Sequence, residues 1–384
     1  MPASIERCIN CFRETIEVPC QYCGWMPGHP TKPPYIPVGT VLNDCYRIGR
    51  VLGHGGFGIT YLAWDTHLDL PIAIKEYFPR ILATRVGDTL SLSVYPGEKR
   101  TWFEDSLHSF QEEARILARF QRHPAIVGVY SFFRANNTCY MVMEYIAGIT
   151  LKSYLRHHKE VLSYRSSYKV MSPIMDALQS VHAVGLLHRD VSPHNIYITQ
   201  QKQVKLLDFG AARFFAEEHN EDLSVILKPG YAPPEQYQAQ GNQGPWTDVY
   251  GLAATFYHCL TGGPPPDAIE RTQVETLVMP SSQDVEIPPT AEYALLKGLA
   301  LDIADRFQDI ESFRQALPRP EHVEAQSELF QPSPGFSNQN FNLRPPSTTV
   351  KLKTNFISTW VIRIILIIAV PAILILTFSA KITS

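Results

Sequence analysis

Two carboxylates and one amide, Asp190, Asn195 and Asp208, are the residues of this 384-residue chain whose types and spacing best fit a reaction. Asp190 and Asn195 lie in His188-Arg189-Asp190-Val191-Ser192-Pro193-His194-Asn195, and Asp208 lies in Leu207-Asp208-Phe209-Gly210. Phosphoryl transfer from a nucleotide needs such a set. One carboxylate orients an attacking hydroxyl and accepts its proton, while an oxygen-rich pair holds the Mg²⁺ ions that neutralise a triphosphate. The bland alternative is a surface loop beside a β-hairpin, with Asp and Asn as turn residues. The ordered combination argues against it.

The spacing H-R-D-x-x-x-x-N followed by D-F-G is the catalytic and metal-binding signature of protein kinases. At these residues the chain resembles a bacterial Hanks-type serine/threonine kinase. The resemblance implies an α+β, bilobal fold, with an antiparallel sheet plus one helix in the N-lobe and a mainly helical C-lobe. It makes Asp190 the base and Asn195 and Asp208 the Mg²⁺ ligands, a site that Mn²⁺ could also use. It runs from about Tyr46 to Leu317.

These groups need elements to position them. Tyr46 to Leu52 alternates in part and leads into Gly53-His54-Gly55-Gly56-Phe57-Gly58, after which Ile59 to Trp64 resumes a strand pattern. The glycines therefore sit on a hairpin tip, where backbone N–H groups can approach phosphates. A G-x-G-x-x-G between strands points to a nucleotide lid and away from a dinucleotide fold, whose glycines open a helix. Thr60 stands where the kinase pattern has Val. Ile72-Ala73-Ile74-Lys75 resembles the V-A-I-K strand, whose Lys holds the α- and β-phosphates. After an insertion from Glu76 to about Leu107, a helix is expected to open at Phe110, with apolar residues at 110, 114, 117 and 120. The resemblance selects Glu113 as the partner of Lys75, and helical spacing leaves Glu112 open. Tyr140 to Ile146 reads as a buried strand entering a hinge. By resemblance the backbone of Glu144 and Ile146 would bind adenine, with Met143 behind it. The resemblance implies a nucleotide site made of Leu52, Gly53, His54, Gly55, Gly56, Phe57, Gly58, Thr60, Ala73, Lys75, Met143, Glu144 and Ile146.

Leu151 to Leu155 and Val170 to His182 carry helical spacing, and Val204 to Leu207 is the strand that delivers Asp208. Asp208 to Glu235 corresponds to an activation segment and ends in Ala232-Pro233-Pro234-Glu235, one residue longer than A-P-E. Ser224 is its sole Ser or Thr and the expected phosphosite. In kinases the equivalent of Asp248 braces the catalytic loop and that of Arg306 pairs with the A-P-E Glu. One departure bears on the chemistry. Ser192 stands where serine/threonine kinases carry a Lys that touches the γ-phosphate, and another cation, such as Lys228 in the activation segment, could offset the lost charge.

Composition is compatible with this reading. A net charge of −3 gives no electrostatic reason to expect nucleic acid. Four of the seven cysteines form two C-x-x-C pairs, Cys8/Cys11 and Cys20/Cys23, which can present four thiolates to one Zn²⁺. A redox pair or free thiols are the alternatives, but no βαβ pattern surrounds them. The expected organisation is a zinc ribbon over 1–28, a Pro-rich linker over 29–45, the kinase domain over 46–317, a disordered linker over 318–355 and a transmembrane helix over 356–379. No charge interrupts Ile364 to Ala380, so at 1.5 Å per residue the segment nearly crosses a core of roughly 30 Å. Arg344, Lys351, Lys353 and Arg363 precede the span and Lys381 follows it, which keeps the kinase domain cytoplasmic at a cell inner membrane.

The leading reading is a membrane-tethered kinase acting on protein substrates, with a dimer allowing trans-autophosphorylation. The competing readings are a nucleotide-binding scaffold acting through its zinc ribbon and a small-molecule phosphotransferase.

Overall fold

The computed structural model describes residues 6–86, 89–158, 161–209, 227–238 and 241–320. The chain separates into Met1–Asn340 and Phe341–Ser384. The expected membrane span, the linker beyond residue 320 and Ser224 lie outside the described residues. Among the described residues no helix is long and apolar enough to cross a membrane.

The nucleotide-side lobe is one antiparallel sheet in the order β3-β4-β5-β6-β10-β9, formed by Val41–Leu42, Tyr46–His54, Gly58–Asp65, Leu70–Tyr77, Thr138–Glu144 and Val129–Ala135 in that order. Six of the eight residues of β5 are buried, more than strict alternation gives, because both faces of the strand are covered. On one side lies helix α1, Glu98–Leu117. It begins well before the expected start at Phe110. Its apolar stripe continues backwards through Leu107 and Phe103 at helical spacing, while its first turn, Glu98 to Thr101, is polar and gives no periodic signal. Between β6 and α1 a short hairpin, β7 (Ala83–Thr84) with β8 (Ser93–Val94), occupies the insertion.

The N-terminal segment packs on the sheet through β4 and β5. Its own hairpin, β1 (Glu6–Arg7) with β2 (Glu14–Thr15), carries the first cysteine pair on its loop. The Arg50 N–H donates to the Asn10 carbonyl at 2.9 Å. The Phe12 ring lies 5.7 Å from that of Trp64, and the Arg7 guanidinium stands 3.8 Å above the same indole. Gly49 permits this approach, since a Cβ there would sit 2.7 Å from both the Asn10 oxygen and the Phe12 ring. The proline-rich stretch that follows has no regular structure, as its prolines dictate, yet it is anchored. Ile36 is buried, and its N–H donates to the Tyr61 hydroxyl at 3.1 Å, which donates in turn to Glu76 Oε2 at 3.1 Å. Arg85 closes the network by donating to Glu76 and to the Pro34 carbonyl.

The second lobe is mainly helical: α2 (Leu151–His158), α3 (Tyr164–His182), α4 (Pro245–Thr261), α5 (Ala268–Gln273), α6 (Pro289–Gly298) and α7 (Ile310–Ala316). Ser163 and Asp309 cap α3 and α7 by accepting from the Ser166 and Ser312 N–H groups. A small sheet of β11 (Gly148–Thr150), β12 (Ile196–Thr199) and β13 (Val204–Leu206) holds the stretch between α3 and Asp208.

Candidate active site

The loop His188 to Asn195 is fixed from below by Asp248, which is buried on α4. The backbone N–H groups of His188 and Arg189 donate to the two oxygens of its carboxylate at 2.8 and 2.6 Å, and His182 Nε2 lies 2.7 Å from Oδ2. Burial raises a carboxyl, but these partners outweigh it and hold Asp248 below its ordinary value. The grip keeps Arg189 at a φ of 62°, a left-handed conformation that a free Arg would avoid.

His188 then ties this loop to the Asp208 segment. Its Nε2 lies 2.9 Å from the Leu207 carbonyl, and its Nδ1 accepts the Asp190 N–H at 3.2 Å. A carbonyl only accepts and an amide N–H only donates, so the ring is a neutral Nε2–H tautomer. Burial pushes its pKa down in agreement. Asn195 spends its amide nitrogen on the Asp190 carbonyl at 2.9 Å, which leaves Oδ1 as an acceptor for a cation.

The sheet brings the other groups to this loop. Thr60 pairs with Lys75 across β5 and β6, and Ala73 pairs with Met143 across β6 and β10. Leu52, Gly53 and His54 end β4, Gly55, Gly56 and Phe57 form the tip, and Gly58 opens β5. The glycines have different reasons. A Cβ on Gly58 would lie 2.7 Å from the Glu76 carbonyl, whereas Gly53 and Gly55 face open space. The fold itself does not require glycine at these last two, which is what a close-approaching ligand needs. Lys75 Nζ reaches Asp208 Oδ1 at 2.9 Å. Burial alone would depress Lys75, but the charges of Asp208 and Glu113 raise it above its ordinary value. Asp208, at a φ of 57°, is held low by Lys75 against the opposing effect of burial. Its side chain is 46% exposed, so water screens the pair. Glu113 is buried, while Glu112 is half-exposed and pairs with Arg115. At the hinge the Glu144 side chain is committed to Lys205 at 2.8 Å and its N–H to the Gly128 carbonyl at 2.8 Å, and Ile146 follows in irregular backbone.

Residues 46–307 match the family described as protein kinase domain. The chain belongs to the protein kinase family. Its domain is that of an ATP-dependent protein serine/threonine kinase. The chain is 32% identical over 291 residues to the serine/threonine-protein kinase PknB of Mycolicibacterium smegmatis, covering 72% of this chain and 43% of that protein. It is 31% identical over 291 residues to PknB of Mycobacterium tuberculosis, with the same coverage. It therefore spans less than half the length of these curated relatives. Among solved structures, the apo form of PpkA-294 superposes with a TM-score of 0.65 at 36% identity, over 74% of this chain and 99% of that one. The kinase domain of Mycobacterium tuberculosis PknI gives 0.54 at 26%, over 72% and 96%.

Within the kinase domain the segment that follows Asp208 ends on a buried ion pair. Arg306 Nη1 donates to Glu235 Oε1 at 2.7 Å, and Thr247 adds a hydroxyl at 3.1 Å. Earlier in that segment, Lys228 Nζ lies 2.9 Å from Asp190 Oδ2 and 3.1 Å from Ser192 Oγ. Sequence reasoning missed three features of the site. These are His182 on Asp248, the Lys205–Glu144 pair at the hinge, and the Glu76–Arg85 pair one residue from Lys75. The first two join residues 66 and 61 positions apart, and Glu76 and Arg85 stand nine apart across an irregular stretch, so only the Glu directly after Lys75 could have been singled out. The cavities of about 850 and 860 Å³, one beside His123 and Pro173 and the other beside Arg100 and Arg134, contain none of the catalytic residues.

Away from the cleft, the Sγ atoms of Cys8, Cys11, Cys20 and Cys23 all lie within 4.8 Å of one another. Cys8–Cys23 and Cys11–Cys20 are 3.7 and 3.8 Å apart. Four thiolates about 2.3 Å from a tetrahedral metal would be about 3.8 Å apart, so the donor set fits Zn²⁺.

Proposed function

We propose that the chain is a membrane-anchored serine/threonine protein kinase that passes the ATP γ-phosphate to protein hydroxyls in signalling. The observation that carries the reading is the convergence of Lys75, Asp190, Asn195 and Asp208 on one cleft beneath a glycine hairpin. Asp190 accepts the proton of the acceptor Ser or Thr hydroxyl as its oxygen attacks the γ-phosphorus, and the bond to the ADP oxygen breaks with its electron pair. Lys75, in the field of Glu113, positions the phosphates. The backbone from Gly53 to Gly58 covers them, and Leu52, Thr60, Ala73 and Met143 enclose adenine at the Glu144 to Ile146 hinge. Asn195 and Asp208 would hold Mg²⁺, which neutralises triphosphate charge, and Mn²⁺ could serve there. The four N-terminal cysteines hold a structural Zn²⁺. Residues 356–379 anchor the chain to the inner membrane with the kinase domain cytoplasmic, and a dimer phosphorylates Ser224 in trans.

The test is ATP-dependent phosphorylation of casein and of the chain itself. Transfer by the wild type that vanishes in Asp190→Ala supports the reading. Ser192 favours a second reading, a pseudokinase scaffold that binds nucleotide and signals through its zinc ribbon. A wild type that binds Mg-ATP and transfers nothing would establish it.

A further inference from the structure

A charge absent from the catalytic loop is present in space. Ser192 is fully buried and carries no charge, yet the ammonium of Lys228 lies 3.1 Å from its hydroxyl and 2.9 Å from the Asp190 carboxylate. A lysine at position 192 would bring its amine to this region from the loop itself. Lys228 brings one from the segment between Asp208 and Glu235. Two other lysines near the cleft are engaged elsewhere: Lys75 contacts Asp208, and Lys152 Nζ lies 2.7 Å from His194 Nε2.

The position of Lys228 is built rather than incidental. Its carbonyl accepts from the N–H groups of Tyr231 and Ala232 at 3.0 and 3.2 Å, closing a turn. Gly230 in that turn has a φ of 83°, and a Cβ there would stand 2.5 Å from the Pro265 carbonyl and 3.0 Å from the Pro264 ring, so the turn is seated directly on these two prolines. Tyr231 completes the seat through its hydroxyl to His258 Nδ1, while Leu227 and Ala232 are buried on either side. The backbone that carries Lys228 is thus packed in one place, and its side chain bridges Asp190 and Ser192.

From this geometry we infer that Lys228 is the catalytic cation of this kinase, contacting the transferring phosphoryl in place of a lysine at position 192. The inference rests on the kinase reading above. It adds no step to the transfer. The γ-phosphorus still leaves the ADP oxygen, the acceptor oxygen still bonds to it, and the proton still goes to Asp190. Lys228 neutralises the charge that develops on the phosphoryl oxygens, one hydrogen bond from the carboxylate that orients the nucleophile. There is a regulatory consequence. A lysine on the catalytic loop is always in place, whereas this one is present only when the 228–231 turn is seated on Pro264 and Pro265. Docking of the activation segment therefore completes the catalytic charge set itself.

The experiment measures casein phosphorylation and Mg-ATP affinity for the full chain in detergent, comparing wild type with Lys228→Met, Ser192→Lys and the double variant. Loss of one positive contact to the transition state lowers kcat by about 10²–10³-fold, so Lys228→Met should fall that far while its Mg-ATP affinity stays within about threefold of wild type. The double variant, which returns the ammonium from the other side, should recover about tenfold or more over Lys228→Met. A purely structural role would not be rescued by a charge at position 192. Two results overturn the assignment and leave the kinase reading standing: Lys228→Met at wild-type rates, or a double variant no faster than Lys228→Met. A wild type without transfer overturns the kinase reading itself.

Discussion

Asp248→Asn tests how the catalytic loop is held. The buried carboxylate accepts from three donors, the N–H groups of His188 and Arg189 and His182 Nε2. An amide keeps one accepting oxygen and turns the other position into a donor. The less costly orientation keeps oxygen toward His188 and His182 and points NH₂ at the Arg189 N–H. That loses one charge-assisted bond, worth about 1.5–3 kcal/mol, and buries an unpaired donor at a cost of about 1–3 kcal/mol. The combined loss is about 2.5–6 kcal/mol. For a domain of this size, about 2 °C per kcal/mol converts this into a Tm decrease of about 5–12 °C. The released bond is the one that holds Arg189 at its positive φ, next to Asp190. A displacement of about 1 Å there costs roughly 10²-fold in kcat, while the nucleotide contacts on the sheet remain and KM for ATP stays close to wild type. Thermal unfolding and steady-state kinetics on the same preparation measure both. A variant with Tm within about 2 °C of wild type and unchanged kcat would refute the reasoning.

Four further outcomes are expected. Metal analysis of protein prepared without chelator should give about one Zn²⁺ per chain, lost in Cys11→Ser together with a change in Trp64 fluorescence, since Phe12 and Arg7 pack on that indole; a zinc-free wild type contradicts the site. Deleting residues 356–384 should move the chain from the membrane fraction to the soluble fraction, and a deletion variant that still sediments with membrane argues against the anchor. Mass spectrometry of active protein should find phosphate on Ser224, where Arg189 could pair with it; unmodified Ser224 in active protein counts against the proposal. His188 and His194 are both depressed first by burial, His194 from an ordinary 6.5 to about 4. The folded state then binds fewer protons than the unfolded chain below pH 6.5, so their contribution is complete above that pH and is lost as pH falls toward about 4. The urea midpoint should drop between pH 7 and pH 5, and a midpoint that rises would reverse the sign.

Much of the cleft was legible in the sequence because its chemistry is written in residue type at short range. The order of Asp190, Asn195 and Asp208 defines the reaction class. The glycines between two strand patterns define a hairpin that can cover phosphates, and Ile72-Ala73-Ile74-Lys75 reads as a strand that ends on a cation. The two C-x-x-C pairs likewise carry their donor count and spacing. The start of α1 was not legible, since Glu98 to Thr101 are polar and leave no periodic trace until Phe103 and Leu107 continue the stripe.

Tertiary structure decided what depends on approach through space. Helical spacing left Glu112 and Glu113 both open, and packing of α1 on the sheet buries Glu113 and leaves Glu112 half-exposed beside Arg115. Proline content identified His29 to Pro37 as irregular, but only the Ile36–Tyr61–Glu76 hydrogen bonds show the stretch anchored on the sheet. Ser192 reads in sequence as a missing charge. Lys228, 36 residues away, supplies one. The reason is general: sequence fixes which groups a chain owns and which lie within a turn or two of each other, whereas a charge acts over ångströms regardless of chain distance, so only docking of the segment that carries Lys228 could place it beside Asp190.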